Sequence, residues 1–307
     1  VDGIQHLSTV VGLGEVLWDI FPSGPRPGGA PANFAYCSHL LGNRAIVASR
    51  VGDDEFGRKL CELFLRAGLT DQFIQIDSER PTGTVQVQVD DQGQPNFNIV
   101  QPSAWDFLEC SAIWQSLAQS ADAVCFGSLA QRSSQSREAI LRFLERTRPD
   151  ALRIFDVNLR QSFFSAATIE QSLAHADVLK LSHEELPLLK PLLQINTASG
   201  EDGEISFCRS LINKFDLRLV CITRGANGSF LCSPDGYHQH PGFHVQVRDA
   251  VGAGDAFTAG LAHELLRDGS LPEMNDLANR MGAWVASCEG AMPEVPEGGL
   301  KEALAKL

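Results

Sequence analysis

The sequence predicts an α/β protein: a mostly parallel sheet covered by helices on both faces. Short, continuously apolar, β-rich runs alternate along the chain with helical stretches. Glycine and proline punctuate the helical stretches where helices start and stop. Of 307 residues, 44% are hydrophobic and 21% charged, the balance of a globular chain able to bury a large core.

Residues 10–14, Val-Val-Gly-Leu-Gly, open the chain's pattern as a buried strand. Residues 31–41 read as a helix, with Pro31 in its first turn and Gly42 just past its end. Residues 45–51 form a second strand, and residues 54–67 place Phe56, Leu60, Leu63 and Phe64 at helical spacing before Gly68. Further strand–helix units start at residues 123–126, 153–156 and 219–223. Two segments break the rhythm. Residues 84–89 alternate with period two, 90–93 turn, and 95–100 return, which is a hairpin with one apolar and one polar face. The face bearing Gln86 and Gln88 either lines a ligand cleft or faces water. Residues 15–27 are rich in proline and glycine. We read segments 15–27 and 82–100 as one small protruding sheet on a single domain, 1–307, because no repeat, low-complexity tract or linker divides the chain.

Composition narrows the function. Lys and Arg number 25 against 38 Asp and Glu, a formal net charge of −13 without basic clusters, which argues against nucleic acid or anionic lipid as the main partner. No run approaches the ~20 apolar residues that span a bilayer. The first nine residues carry Asp2 and no basic, apolar signal segment, so a cytoplasmic protein is expected. The eight cysteines form no CxxC pair, and several sit inside apolar runs such as Val124-Cys125-Phe126, as buried thiols do. His238, His240 and His244 have no acidic or thiol residue interleaved, so metal ligation is not expected there. Gly12-x-Gly14 follows the first strand, but the third glycine of a dinucleotide loop is Leu17.

Chemistry concentrates in glycine-rich turns. Asp249-Ala250-Val251-Gly252-Ala253-Gly254-Asp255-Ala256-Phe257 precedes an apolar helical stretch, 257–266. Small residues at a helix start leave unpaired N–H groups converging with the positive end of the helix dipole, which suits a phosphoryl oxyanion. Asp255 either faces the same cavity or caps the orphan amides. Gly28-Gly29-Ala30-Pro31-Ala32-Asn33 is a second such turn; Gly29 permits close backbone approach to a polyol, and Asn33 offers both donor and acceptor to hydroxyls. Thr223-Arg224-Gly225-Ala226-Asn227-Gly228 follows a strand end and is either a phosphate clamp or an ordinary Asn-Gly hairpin.

The pairing of the 28–33 and 249–255 motifs, with Val51-Gly52-Asp53-Asp54-Glu55-Phe56-Gly57 between them, resembles the ribokinase-like (PfkB) carbohydrate kinases. The resemblance runs from about residue 10 to residue 296. Gly14-Glu15, the Ala-Pro of the early glycine turn, Ser128 and Asp156-Val157-Asn158-Leu159-Arg160 are most similar to fructokinases. It implies a ribokinase-like αβα sandwich with a small β lid, and transfer of phosphate from ATP to a sugar, D-fructose giving fructose 6-phosphate. Another acceptor (2-keto-3-deoxygluconate, ribose or a nucleoside) and a non-catalytic sugar- or nucleotide-binding regulator are the competing readings, the second disfavoured by an intact Asp255.

By the same resemblance Asp255 is the general base, and the backbone of Gly252, Ala253 and Gly254 is the anion hole. The sugar falls to Asp19, Gly28, Gly29, Asn33 and Arg160. The nucleotide falls to Ser182, Thr223, Gly225 and Gly228, with Asn279 near adenine. Glu185 organises Mg²⁺ through water, and Asp249, Val251 and Gly290 hold a monovalent cation, K⁺. Two positions depart from the family pattern: Ser182 stands where the Asn-x-x-Glu motif has its amide, and Val251 where Thr is common. The partners implied are a small-molecule sugar and ATP; the amphipathic pattern of the 84–100 hairpin leads us to expect that it closes and excludes water, and the oligomeric state, monomer or homodimer, stays open.

Overall fold

The structure, a computed structural model, describes residues 7–89, 95–197 and 201–307. The chain begins with β1 (Thr9–Leu13), β2 (Leu17–Phe21), β3 (Gly24–Gly28) and helix α1 (Ala30–Leu40). It continues through β4 (Arg44–Gly52), α2 (Glu55–Arg66), β5 (Ile74–Asp77), β6 (Gly83–Val89) and β7 (Pro95–Ile99). Then α3 (Ala112–Ser120), β8 (Ala123–Gly127), α4 (Ser134–Arg146), β9 (Leu152–Asp156), α5 (Ala166–Ala174) and β10 (Val178–Ser182) alternate. Two helices, α6 (Leu186–Leu192) and α7 (Glu201–Phe215), lead to β11 (Leu219–Thr223), β12 (Ser229–Cys232) and β13 (Tyr237–His240). Helices α8 (Ala253–Leu265), α9 (Leu271–Ala286) and α10 (Gly299–Ala305) finish the fold.

Nine strands form the main sheet in the order β13-β12-β11-β10-β9-β8-β1-β4-β5. Neighbours from β5 to β11 run parallel, and β12 and β13 add an antiparallel edge. Because side chains alternate across a strand, the apolar runs feed two cores. Val11, Val124, Phe126, Leu179, Leu181, Val220 and Ile222 pack against α3 to α7. Val10, Ala123, Cys125, Val178, Leu219 and Cys221 face α1, α2, α8 and α9. The expected parallel sandwich is therefore present, and the central strands β1 and β8 are buried along their whole length because both faces are covered. All eight cysteines are free thiols, five of them buried. Among the described residues no helix is long and apolar enough to cross a membrane.

The two outlying segments meet as a four-stranded sheet, β3-β2-β6-β7. Its register joins Leu17 to Gly83 and Trp18 to Thr84 in parallel. The turn expected at residues 90–93 lies outside the described residues. Trp18 fixes this sheet to the body: its ring packs 5.7 Å from Phe56, and Nε1 donates to the Phe56 carbonyl at 3.0 Å. The sheet turns its apolar side inward. Val85 and Ile99 are buried with Leu17 and Trp105, whereas Gln86 is exposed, so that glutamine faces water.

Strand order positions the site. From β1 the chain lays β4 and β5 on one side, then β8 onward on the other, so the order reverses at β1. In open α/β sheets ligands bind beyond the carboxyl ends of strands at such a reversal.

Candidate active site

A cavity of about 1050 Å³ opens there. Its wall includes Glu15 after β1, Asn158 to Gln161 after β9, Lys180 on β10, Ser182, Glu185 and Thr223. From the opposite layer come Gly28, Gly29 and Asn33 at the start of α1, and Asp249 to Gly252, Gly254 and Asp255 around the start of α8. Asp19 on β2, Val85 and Ile99 bring the small sheet into the same wall.

Both glycine turns owe their shape to positive φ. Gly29 caps α1 at φ 111°, and a Cβ there would lie 2.6 Å from the Glu15 carbonyl oxygen. Gly252 caps α8 at φ 78°, and its added Cβ would lie 2.4 Å from Cβ of Ala291. Only glycine meets both conditions at low cost. Helix α8 thus starts at Ala253, one turn earlier than the apolar pattern from Phe257 suggests, and Asp255 is its third residue. Oδ2 of Asp255 accepts a hydrogen bond from Nδ2 of Asn33 at 2.8 Å, so its recorded partner is across the site, not an amide of its own turn. Loss of solvent is the main cause pushing the Asp255 carboxyl up to about 6. The charge of Asp156 adds to the rise, while Asn33, Lys180 and Arg160 oppose it.

Two more carboxyls share this environment. Burial pushes Asp19 up to about 6 against the pull of Arg160, and Glu15 up to about 7. Asp19 also meets the glycine turn from above: a Cβ on Gly28 would lie 2.6 Å from its Oδ2. Arg160 is the cation common to Glu15, Asp19 and Asp255.

The sheet side is held by backbone hydrogen bonds to Glu185. Its Oε1 accepts from the Leu159 amide at 2.6 Å and its Oε2 from the Ser182 amide at 2.7 Å. Both carboxylate oxygens are therefore already bonded to the chain. Asp249, Val251 and Gly290 meet at one corner: Asp249 accepts from the Val251 amide at 3.0 Å and the Gly290 amide at 3.3 Å. Nη1 of Arg26, from β3, lies 3.2 Å from the same carboxylate. Among the described residues no group of three His, Cys, Asp or Glu gathers as a metal site.

Residues 223–229 form the β11–β12 hairpin, with a 3₁₀ turn at Gly225–Asn227 and Gly228 at φ 78°. Thr223 nevertheless lines the cavity. Asn279 of α9 packs against β12, its Nδ2 donating to Ser229 Oγ and to the Asn275 carbonyl at 2.7 Å each. Asn279, Gly225, Gly228 and Gly290 are not in the cavity wall.

Sequence reasoning did not place Asp156 or Lys180 in the site. Both are buried, and Nζ of Lys180 lies 3.0 Å and 2.9 Å from the two oxygens of Asp156. Burial works against the ammonium, but Asp156, Glu185 and Asp255 outweigh it and hold it above the ordinary lysine range. The available signal was the lysine inside the apolar run Val178-Leu179-Lys180-Leu181, since a buried lysine requires a partner.

Comparison with known proteins identifies a carbohydrate kinase. Residues 24–297 match the pfkB family of carbohydrate kinases, and the chain belongs to that family. It is 31% identical to the fructokinase of Escherichia coli over 304 residues, covering 92% of this chain and 95% of that one. The crystal structure of Vibrio cholerae fructokinase bound to fructose, ADP and calcium superposes with a TM-score of 0.79 at 28% identity, covering 98% of each chain. Aminoimidazole riboside kinase of Salmonella enterica, complexed with aminoimidazole riboside and an ATP analogue, gives a TM-score of 0.77 at 25% identity. That match covers 97% of this chain and 99% of that one. The ribokinase-like fold and the phosphotransferase activity on a sugar hydroxyl are those the resemblance implied.

Proposed function

We propose that this protein is a fructokinase, transferring the γ-phosphoryl group of ATP to D-fructose to give fructose 6-phosphate and ADP. The observation that carries the reading is Asp255, a carboxylate in the first turn of α8, bonded by Asn33 and set beside the small-residue cradle 252–254. The fructose and ADP bound by the Vibrio cholerae relative support the choice of acceptor.

In this scheme Asp19, Gly28, Gly29, Asn33 and Arg160 hold the sugar. Asp255 takes the proton of the attacking hydroxyl as the new O–P bond forms and the bond to the ADP oxygen breaks. A base pushed up to about 6 is mostly ionised at neutral pH yet still basic enough to accept that proton. Amides of Gly252, Ala253 and Gly254 receive the charge that develops on the phosphoryl oxygens, where each such donor is worth roughly 10²–10³ in rate. Ser182, Thr223, Gly225 and Gly228 serve the nucleotide, with Asn279 on the adenine side acting through its packing. Val85 and Ile99 present an apolar wall that excludes water, the competing acceptor.

Glu185 would hold Mg²⁺ through water, and the ion would supply charge neutralisation to the phosphates. Glu185 suits the water-mediated role, because both its oxygens already accept amides. The corner of Asp249, Val251 and Gly290 suits K⁺, with Arg26 sharing its carboxylate.

The aminoimidazole riboside kinase likeness favours a second acceptor class, a riboside. A panel of sugars and ribosides with ATP, read by ADP release, decides between them. Fructose is expected to turn over fastest, and faster turnover of a riboside overturns the fructose assignment. Asp255→Asn is expected to lower kcat by at least ~10² with fold intact; wild-type speed in that variant overturns the assignment of the base.

A further inference from the structure

We propose that Asp156, which the scheme above does not use, is a positioning residue for phosphoryl transfer: it holds the Lys180 ammonium against the Gly254 end of the cradle and ties the first turn of α8 to the sheet. The inference rests on the kinase reading.

Asp156 ends β9, and strand register sets it directly beside Lys180 of β10. Its two oxygens take two of the three ammonium protons, at 3.0 Å and 2.9 Å. The ammonium so held reaches the cradle: a Cβ on Gly254 would lie 3.1 Å from Nζ. Across the layer, the hydroxyl of Thr258 lies 3.1 Å from Oδ2 of Asp156 and 2.9 Å from the Gly254 carbonyl oxygen. One carboxylate therefore spans β9, β10 and α8 at the point where the phosphoryl cradle begins.

A purely structural pair has no reason to stand here. Buried ion pairs roughly break even against apolar packing, and the rest of the β10 run, Val178, Leu179 and Leu181, is apolar and fully buried. At this position the pair is a fixed dipole beside the base. Asp255 is faced by Glu15 after β1, Asn33 and Cys37 on α1, Cys125 on β8, Asp156 on β9, Arg160 beyond β9, and Lys180 on β10. Of these charges Asp156 acts most strongly on it, opposed by Lys180.

The test reads Asp255 in two ways: by the pH profile of kcat/KM, and by ¹³C NMR titration of protein labelled at its aspartate carboxyls. In Asp156→Asn the cation beside Asp255 loses its counter-charge, and the titration is expected to move down by about one pH unit. In Lys180→Met the Asp156 carboxylate is unbalanced, and the titration is expected to move up by a similar amount. The double variant, Asp156→Asn with Lys180→Met, is expected to return the titration toward wild type while kcat stays at least ~10-fold low, because the ammonium is missing from the cradle. Thr258→Val is expected to lower kcat several-fold with the titration unmoved. Titrations that stay in place or move the same way in the two single variants overturn the inference, as does full kcat in the double variant. Thr258→Val and the double variant leave no unpaired buried charge, so they decide the matter if a single variant fails to fold. The NMR titration needs no substrate: a wild-type protein inactive on every acceptor counts against the kinase reading alone.

Discussion

At the scale of single residues, the site is built from groups that fit poorly in a folded interior. Asp255 is held at about 6 chiefly by desolvation, and an acid whose folded value lies above its ordinary 3.8 opposes folding wherever it must ionise. Between those two values the native state keeps a proton that the unfolded chain has released, so this group's contribution to stability falls as pH rises through the window. The carboxylate proposed for proton transfer is thus a liability at neutral pH. Asp255→Asn is expected to melt higher than wild type at pH 8, each 1 kcal/mol relieved giving about 2 °C in a chain of this size. Calorimetry at pH 8 and pH 4 checks the sign, since the gain should vanish at the lower pH. A variant that melts lower at pH 8 would mean that the Asn33 hydrogen bond outweighs the desolvation.

At the scale of elements, two left-handed glycines separate general backbone need from function. Gly42, after α1, has φ 86° with nothing within 4 Å of an added Cβ, whereas Gly252 combines φ 78° with a collision at Ala291. Gly42→Ala is expected to cost about 1–2 kcal/mol of stability and leave kcat unchanged. Gly252→Ala should cost more than that and lower kcat by about 10²-fold, since the cradle amides move with it; denaturant melts and ADP release on both proteins check the contrast. The same distinction explains what was legible in the sequence. Strands such as 123–126 and 219–223 announce themselves because both faces are buried, and the small sheet because residues 84–89 alternate. The start of α8 is legible from the glycine turn 252–254 and not from periodicity, because Ala253, Gly254 and Asp255 carry no apolar pattern. The glycine motifs pointed to Asp255 and Asn33, yet their contact joins residues 222 positions apart and follows only from α1 packing beside α8. Asp156 and Lys180 stayed hidden for a similar reason: their pairing depends on β9 and β10 being neighbours, which no local pattern states.

At the scale of the whole molecule, two of the side chains that tie the small sheet to the body differ in strength. Trp18 is buried, with both a ring contact and a hydrogen bond to Phe56. Arg26 is 38% exposed and reaches Asp249 at 3.2 Å and Glu289 at 3.1 Å. A partly solvated ion pair is worth about 0–1 kcal/mol, which bounds any effect of losing it to roughly fivefold in an equilibrium. That bound matters because Asp249 also belongs to the corner proposed for K⁺, where the guanidinium and the ion would draw on one carboxylate. Arg26→Gln removes one claimant. The expected result is a K⁺ half-saturation lowered by up to about fivefold, together with a sugar KM raised by no more than the same factor as the sheet loses its weaker tether. Trp18→Ala should act differently, raising sugar KM further and increasing ADP release without sugar, because the apolar wall of Val85 and Ile99 is no longer held over the cavity. Titrating K⁺ against turnover in both variants, with thermal melts across the same K⁺ series, separates the two tethers; an unchanged K⁺ response in Arg26→Gln would show that the ion and Arg26 do not share Asp249.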